Sequence, residues 1–262
     1  MRRTNALFFT IMLASAASCF ASLIPISAVG TNLVPTGGAG YGSVSTLLNA
    51  DNSSGSNTDG LESNCNLFTN SVVTQSCGGA FASLGLTIHD AGQQNNAQSI
   101  GSTGITNSST AAQQLLLVFN TNQTGPHTAE GEAITLQALG LALWYNGDLI
   151  FSAVRSTADT YDTTLQGVGQ AGFGYQLDAA QAAAAQIAIN NAIAGGATLN
   201  TIFATGAFQA GCLTGVTTGC ANDGPETLFL DSQAAVVPEP MSLSLVGGGL
   251  LALGLFRKRF SA

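Results

Sequence analysis

The chain has two imidazoles, His89 and His127. His127 lies in the stretch GPHTAEGE, where it could meet a metal ion together with Glu130 and Glu132, since imidazole and carboxylate are competent ligands. A solvated polar loop is the simpler account of the same residues. His89 stands beside Asp90 with no partner at a spacing that specifies a mechanism. Between Asp51 and Glu62 a second set of oxygens follows a calcium-loop register: Asp51, Ser53, Asp59 and Glu62 occupy the first, third, ninth and twelfth positions. Gly55 stands where the fifth ligand belongs, and Ser56 where the loop needs glycine, so Asp51, Asp59 and Glu62 are weak metal candidates. The sequence has no Gly-x-Ser-x-Gly elbow, no His-Glu-x-x-His and no phosphate-binding glycine loop. No catalytic residue and no cofactor is therefore expected. Trp144, Tyr145, Tyr161 and Tyr175 could stack on sugar rings, although Trp144 has apolar neighbours that suit a core position better.

These residues need elements to position them, and the clearest is a β-hairpin. In LALWYNGDLIFSAV, from Leu141 to Val154, Asn146 and Gly147 tolerate the positive φ angles of a type I′ turn. The alternating stretch FASLGLTI, Phe81 to Ile88, and the apolar run QLLLVFN, Gln114 to Asn120, read as strands. After the strand-like GFGYQL, Asp178 can cap a helix and Gln181 can reach back to it. The alanine-rich helix then runs over 178–194, with Ile189 and Ile193 on one face, until Gly195 and Gly196 stop it. LNTIFATGAF and TLFLD resume the strand pattern, whereas Ser22 to Asn66 reads as loops with few short strands. Short strands, glycine-rich turns and one inserted helix predict a mainly β fold, a single antiparallel β-sandwich of jelly-roll character.

Charge is distributed very unevenly. Of six basic residues, Arg2, Arg3, Arg257, Lys258 and Arg259 lie at the two ends and only Arg155 lies between. All 14 acidic residues fall from Asp51 to Glu239. Such a body carries no basic footprint, which excludes a nucleic-acid partner. It also has no lysine, so Schiff-base chemistry and lysine-dependent isopeptide crosslinks are unavailable to it. Outside the N-terminal segment the cysteines are Cys65, Cys77, Cys212 and Cys220, an even set that fits two disulfides in an oxidising compartment. The local pairs Cys65 with Cys77 and Cys212 with Cys220 each flank a short polar loop and are the expected bridges. Free or metal-binding thiols are the other option, although neither pair has the Cys-x-x-Cys spacing.

Both ends read as addresses. Arg2 and Arg3 precede an apolar stretch from Ala6 to Ala17, too short to span a bilayer, and small residues follow, the layout of a secretory signal peptide. Cleavage after Ala21, with Cys19 at −3, is the expected site, and Ala28 offers a second one; Ala16 stands where a lipoprotein signal usually places Leu before Cys19. At the other end, Pro238 and Pro240 hold Glu239 on a stiff, extended stalk after Val237. The uncharged run Met241 to Phe256 would form a helix about 24 Å long, a marginal span of a hydrocarbon core about 30 Å thick. Arg257, Lys258 and Arg259 would then stay on the cytoplasmic side.

The order of Val237, Pro238, Glu239 and Pro240, an apolar helix and a terminal basic cluster closely resembles the PEP-CTERM sorting signal of Gram-negative bacteria. The resemblance is confined to the tail and implies that the membrane enzyme exosortase recognises the Pro-Glu-Pro stalk and processes it. The expected organisation is a signal peptide over 1–21, a secreted β-rich domain over 22–235 and a sorting signal over 236–262. The expected partners are the Sec export machinery, exosortase and an extracellular polysaccharide, with transient inner-membrane anchoring before release to the cell envelope or matrix. The expected function is that of a non-enzymatic envelope or matrix protein. A carbohydrate- or cation-binding module of the same matrix is the second reading, and a secreted hydrolase the third.

Overall fold

The computed structural model describes residues 23–25, 45–50, 61–65, 67–69, 72–74, 79–86, 96–121, 133–162, 171–211 and 226–232. The strands, in chain order, are β1 (Ile24–Pro25), β2 (Ser45–Ala50), β3 (Leu61–Cys65), β4 (Leu67–Thr69), β5 (Val72–Thr74) and β6 (Gln98–Ser99). A short helix α1 (Ala111–Gln114) leads into β7 (Leu115–Thr121), followed by β8 (Ala133–Tyr145), β9 (Asp148–Arg155), β10 (Asp159–Asp162) and β11 (Ala171–Gln176). Helix α2 (Ala179–Ala194) precedes β12 (Ile202–Gly211) and β13 (Glu226–Ser232). The fold is mainly β, with two larger sheets and antiparallel pairing.

The first sheet runs β1-β11-β7-β13-β2; the second runs β10-β8-β12-β3, with β9 also on β8 and β6 also on β12. One apolar cluster draws Leu117, Phe119, Phe173 and Leu228 from the first sheet and Leu139, Leu141, Tyr161 and Phe208 from the second. Aromatic contacts cross between them: Phe119 meets Phe208 edge-on at 5.4 Å between centroids, and Tyr161 stacks on Phe173 at 3.8 Å. Gly206 on β12 makes this approach possible. A Cβ there would come within 2.6 Å of Leu228 Cδ2 on β13.

The hairpin forms as the turn residues require, with φ of 52° at Asn146 and 86° at Gly147 joining β8 to β9. Helix α2 begins with a full capping box: Gln181 N–H donates to Asp178 Oδ1 at 2.7 Å, and Asp178 N–H donates to Gln181 Oε1 at 3.3 Å. Ala182, Ala185, Ile189 and Ala192 form its buried face, and Ile193 packs beside them. Small side chains let the helix lie close to β9 and α1. Gln186 ties it down, accepting from Ala112 N–H at 3.1 Å and donating to the Ser108 carbonyl at 2.6 Å.

Phe81 to Ile88 departs from the expected strand. Gly79 to Leu84 forms a 3-10 helix, bracketed by Gly79 and Gly85 at φ of 69° and 59°. Its apolar spacing explains the difference. Phe81 and Leu84, three residues apart, both rest over Gly140 of β8, while Ala82 and Ser83 are exposed. Period three satisfies the burial that an alternating reading assigned to period two. Gln114 likewise belongs to α1 rather than to the strand that follows it.

Candidate functional site

The best-defined polar constellation gathers around Arg155, at the end of β9, and Asp159, at the start of β10. The short β9–β10 connection brings the two side chains together in a two-pronged ion pair. Arg155 donates from Nε to Asp159 Oδ2 at 2.8 Å and from Nη2 to Oδ1 at 2.7 Å. Tyr175, from β11 in the other sheet, donates its hydroxyl to Asp159 Oδ2 at 3.0 Å, and its ring centroid lies 5.9 Å from the guanidinium carbon. Arg155 Nη1 donates to the Leu23 carbonyl at 3.0 Å. Arg155 and Asp159 are 9 % and 8 % exposed, so the charges are withdrawn from water and compensate one another in place.

Tyr161, two residues after Asp159, completes the cluster without joining its hydrogen bonds. Its ring is buried against Phe173, and its hydroxyl has no hydrogen-bond partner among the described residues. Burial holds its proton well above the usual tyrosine range; the negative charge of Asp159 adds to that effect and Arg155 opposes it. The guanidinium fork and both carboxylate oxygens are occupied by one another, by Tyr175 and by the backbone. What this arrangement does is fasten β1, the β9–β10 turn and β11 to each other.

A second polar group lies where strands end. Glu62 on β3 and Glu226 on β13 are fully buried, and Glu226 N–H donates to Glu62 Oε2 at 3.4 Å. Asn64 donates to the Asn49 carbonyl at 2.8 Å, and Asn120 donates to Thr227 Oγ1 at 3.2 Å. The pairing register shows that these ends are neighbours: Ala50 with Glu226, Leu61 with Gly211, Ala133 with Asp162, and Thr121 with Ala171. Within each sheet these paired ends border residues 51–60, 122–132, 163–170 and 212–225 in the sequence, which lie outside the described residues. Among the described residues, no three His, Cys, Asp or Glu side chains are grouped to hold a metal ion.

Of the expected site residues, Val237, Pro238, Glu239, Pro240, Arg257, Lys258 and Arg259 lie outside the described residues, as do Asp51, Asp59, His89, His127, Glu130 and Glu132. Glu62 is interior on a strand, receiving a backbone N–H. Cys65 is buried and disulfide-bonded, while Cys77, Cys212 and Cys220 fall outside the described residues. The aromatic candidates are not gathered on an open face. Trp144 is 8 % exposed and donates Nε1–H to Thr205 Oγ1 at 2.9 Å, under the 3-10 helix that carries Phe81. Tyr161 and Tyr175 are interior; Tyr145 is half-buried, its hydroxyl 3.5 Å from the Gly195 carbonyl.

The Arg155 cluster is not among the sites expected from the sequence, although the body's sole basic residue has an aspartate four positions on. No protein-family model matches the chain, and neither any curated protein nor any solved structure matches it.

Proposed function

We propose that the chain is an exported, non-enzymatic envelope or matrix protein, delivered through a C-terminal sorting signal that exosortase recognises and cleaves. The observation that carries this reading is the tail: Val237, Pro238, Glu239 and Pro240, the uncharged run from Met241 to Phe256, and Arg257, Lys258 and Arg259. A general membrane anchor has no need of a glutamate between two prolines. The disulfide at Cys65 is in keeping with an oxidising destination. The body between the two ends, with Arg155 as its one basic residue, is strongly acidic, which favours solubility beyond the inner membrane. Its two sheets, sharing aromatic contacts across one cluster, are read as the halves of a jelly-roll-like β-sandwich. The test compares a strain carrying exosortase with one lacking it: localisation to the matrix and the tail's removal should both depend on the enzyme.

One observation favours a second reading, cation binding by the matrix protein. Two fully buried carboxylates, Glu62 and Glu226, stand at neighbouring strand ends, and Glu226 N–H donates to Glu62 Oε2 at 3.4 Å. Calcium titration of the purified, processed protein, followed by heat and by thermal shift, decides it; no heat and an unchanged Tm remove this reading. Stacking of sugars on Trp144, Tyr161 or Tyr175 gains no such support, since all three rings lie in the interior.

A further inference from the structure

Leu23, Ile24 and Pro25 are integral parts of the body. Leu23 is 0 % exposed and belongs to the main apolar cluster. Its carbonyl accepts the Arg155 Nη1–H at 3.0 Å. Directly after it, Ile24 and Pro25 pair with Gln176 and Tyr175, making β1 the edge strand that covers β11. Tyr175 joins both interactions, through its backbone pairing with Pro25 and its hydroxyl bond to Asp159. The cluster thus engages the N-terminal segment by a carbonyl and a strand register, while the core takes up the Leu23 side chain, all within three consecutive residues.

The two small-residue cleavage sites differ sharply in what they spare. Hydrolysis of the Ala21–Ser22 bond, with water giving the Ala21 carboxylate and the free Ser22 amine, keeps Leu23, Ile24 and Pro25 in the mature chain. Hydrolysis after Ala28 discards all three. We propose that Arg155, Asp159 and Tyr175 form a docking site for the newly processed N-terminus, and that signal peptidase cuts after Ala21, the position that leaves this site its ligand. A chain beginning at Val29 would take the Leu23 carbonyl from Arg155, leave a leucine-sized hole in the core and turn β11 into an exposed edge. The site also gives the body's one basic residue a purpose: a fixed, permanently charged fork can bind a carboxylate and a backbone carbonyl at once.

This inference rests on the export reading, and the two fail differently. The full chain is expressed in a Gram-negative host, recovered from the envelope and the medium, and its first residue read by terminal sequencing and intact mass. A mature chain starting at Ser22 is the expected result. A start at Val29, or at any residue after Leu23, overturns the docking proposal while leaving export intact. Protein starting at Met1 in every fraction overturns export and the proposal together. The variant Ala21→Tyr, which puts a bulky residue at −1, provides the second arm. Retention of the leader in this variant supports Ala21 as the processing site. If the variant is instead cut after Ala28, the product should accumulate several-fold less and melt on the order of 5–15 °C lower. A Val29-initiated product with wild-type yield and Tm contradicts the docking role.

Discussion

Tyr161 and Tyr175 occupy one cluster but have opposite hydrogen-bond status, and this separates their expected substitutions. Tyr175→Phe removes a donor from the Asp159 carboxylate and is expected to cost about 1.5–3 kcal/mol. Tyr161→Phe removes a buried hydroxyl that makes no hydrogen bond among the described residues, and stability at neutral pH should be unchanged or slightly higher. The same hydroxyl sets an alkaline limit. The folded chain holds the Tyr161 proton above the ordinary value, whereas the unfolded chain releases it near pH 10. Its contribution is therefore complete below about pH 10 and is lost as pH rises beyond that, so denaturant midpoints between roughly pH 9 and 11 should fall less steeply in Tyr161→Phe than in wild type. Asp159→Asn leaves Arg155 buried without its countercharge, for which a loss of about 3–5 kcal/mol by urea denaturation is expected.

At the scale of elements, legibility in the sequence followed the strength of local signals. Asn146-Gly147 and the Asp178 to Gln181 capping pair are local chemistry, and both formed as their residue types predict. β7, β11, β12 and β13 were legible as apolar runs bounded by polar or glycine-rich sequence. The segment from Gly79 to Leu84 was not, because Leu84, Leu86 and Ile88 alternate as in a strand while Phe81 and Leu84 stand three apart as in a 3-10 turn; the space over Gly140, on a distant strand, takes up the period-three pair. The Arg155 cluster was hidden for a related reason, since Tyr175 and Leu23 reach it through strand pairing rather than sequence proximity. Two variants probe these elements. Asp178→Ala removes the acceptor of the capping box and should lower stability by about 1 kcal/mol, seen as a lower thermal midpoint by circular dichroism. Gly206→Ala drives a methyl group into Leu228 between the sheets, and a loss of about 1–3 kcal/mol is expected in the same assay.

For the whole molecule, the proposed account joins two processed ends to an acidic β-rich body. Leu23 is part of the core, and the proposed account retains it after export and gives the C-terminal tail the role of an address. In the proposed account the uncharged run from Met241 to Phe256, marginal in length as a permanent span, serves as a temporary hold before cleavage. The most direct test of this account is the C-terminal mass of the exported protein in strains with and without exosortase. The account predicts loss of the segment containing Arg257, Lys258 and Arg259 only where the enzyme is present, with the intact tail held in the membrane fraction otherwise. An identical C-terminal mass and identical localisation in the two strains would contradict it.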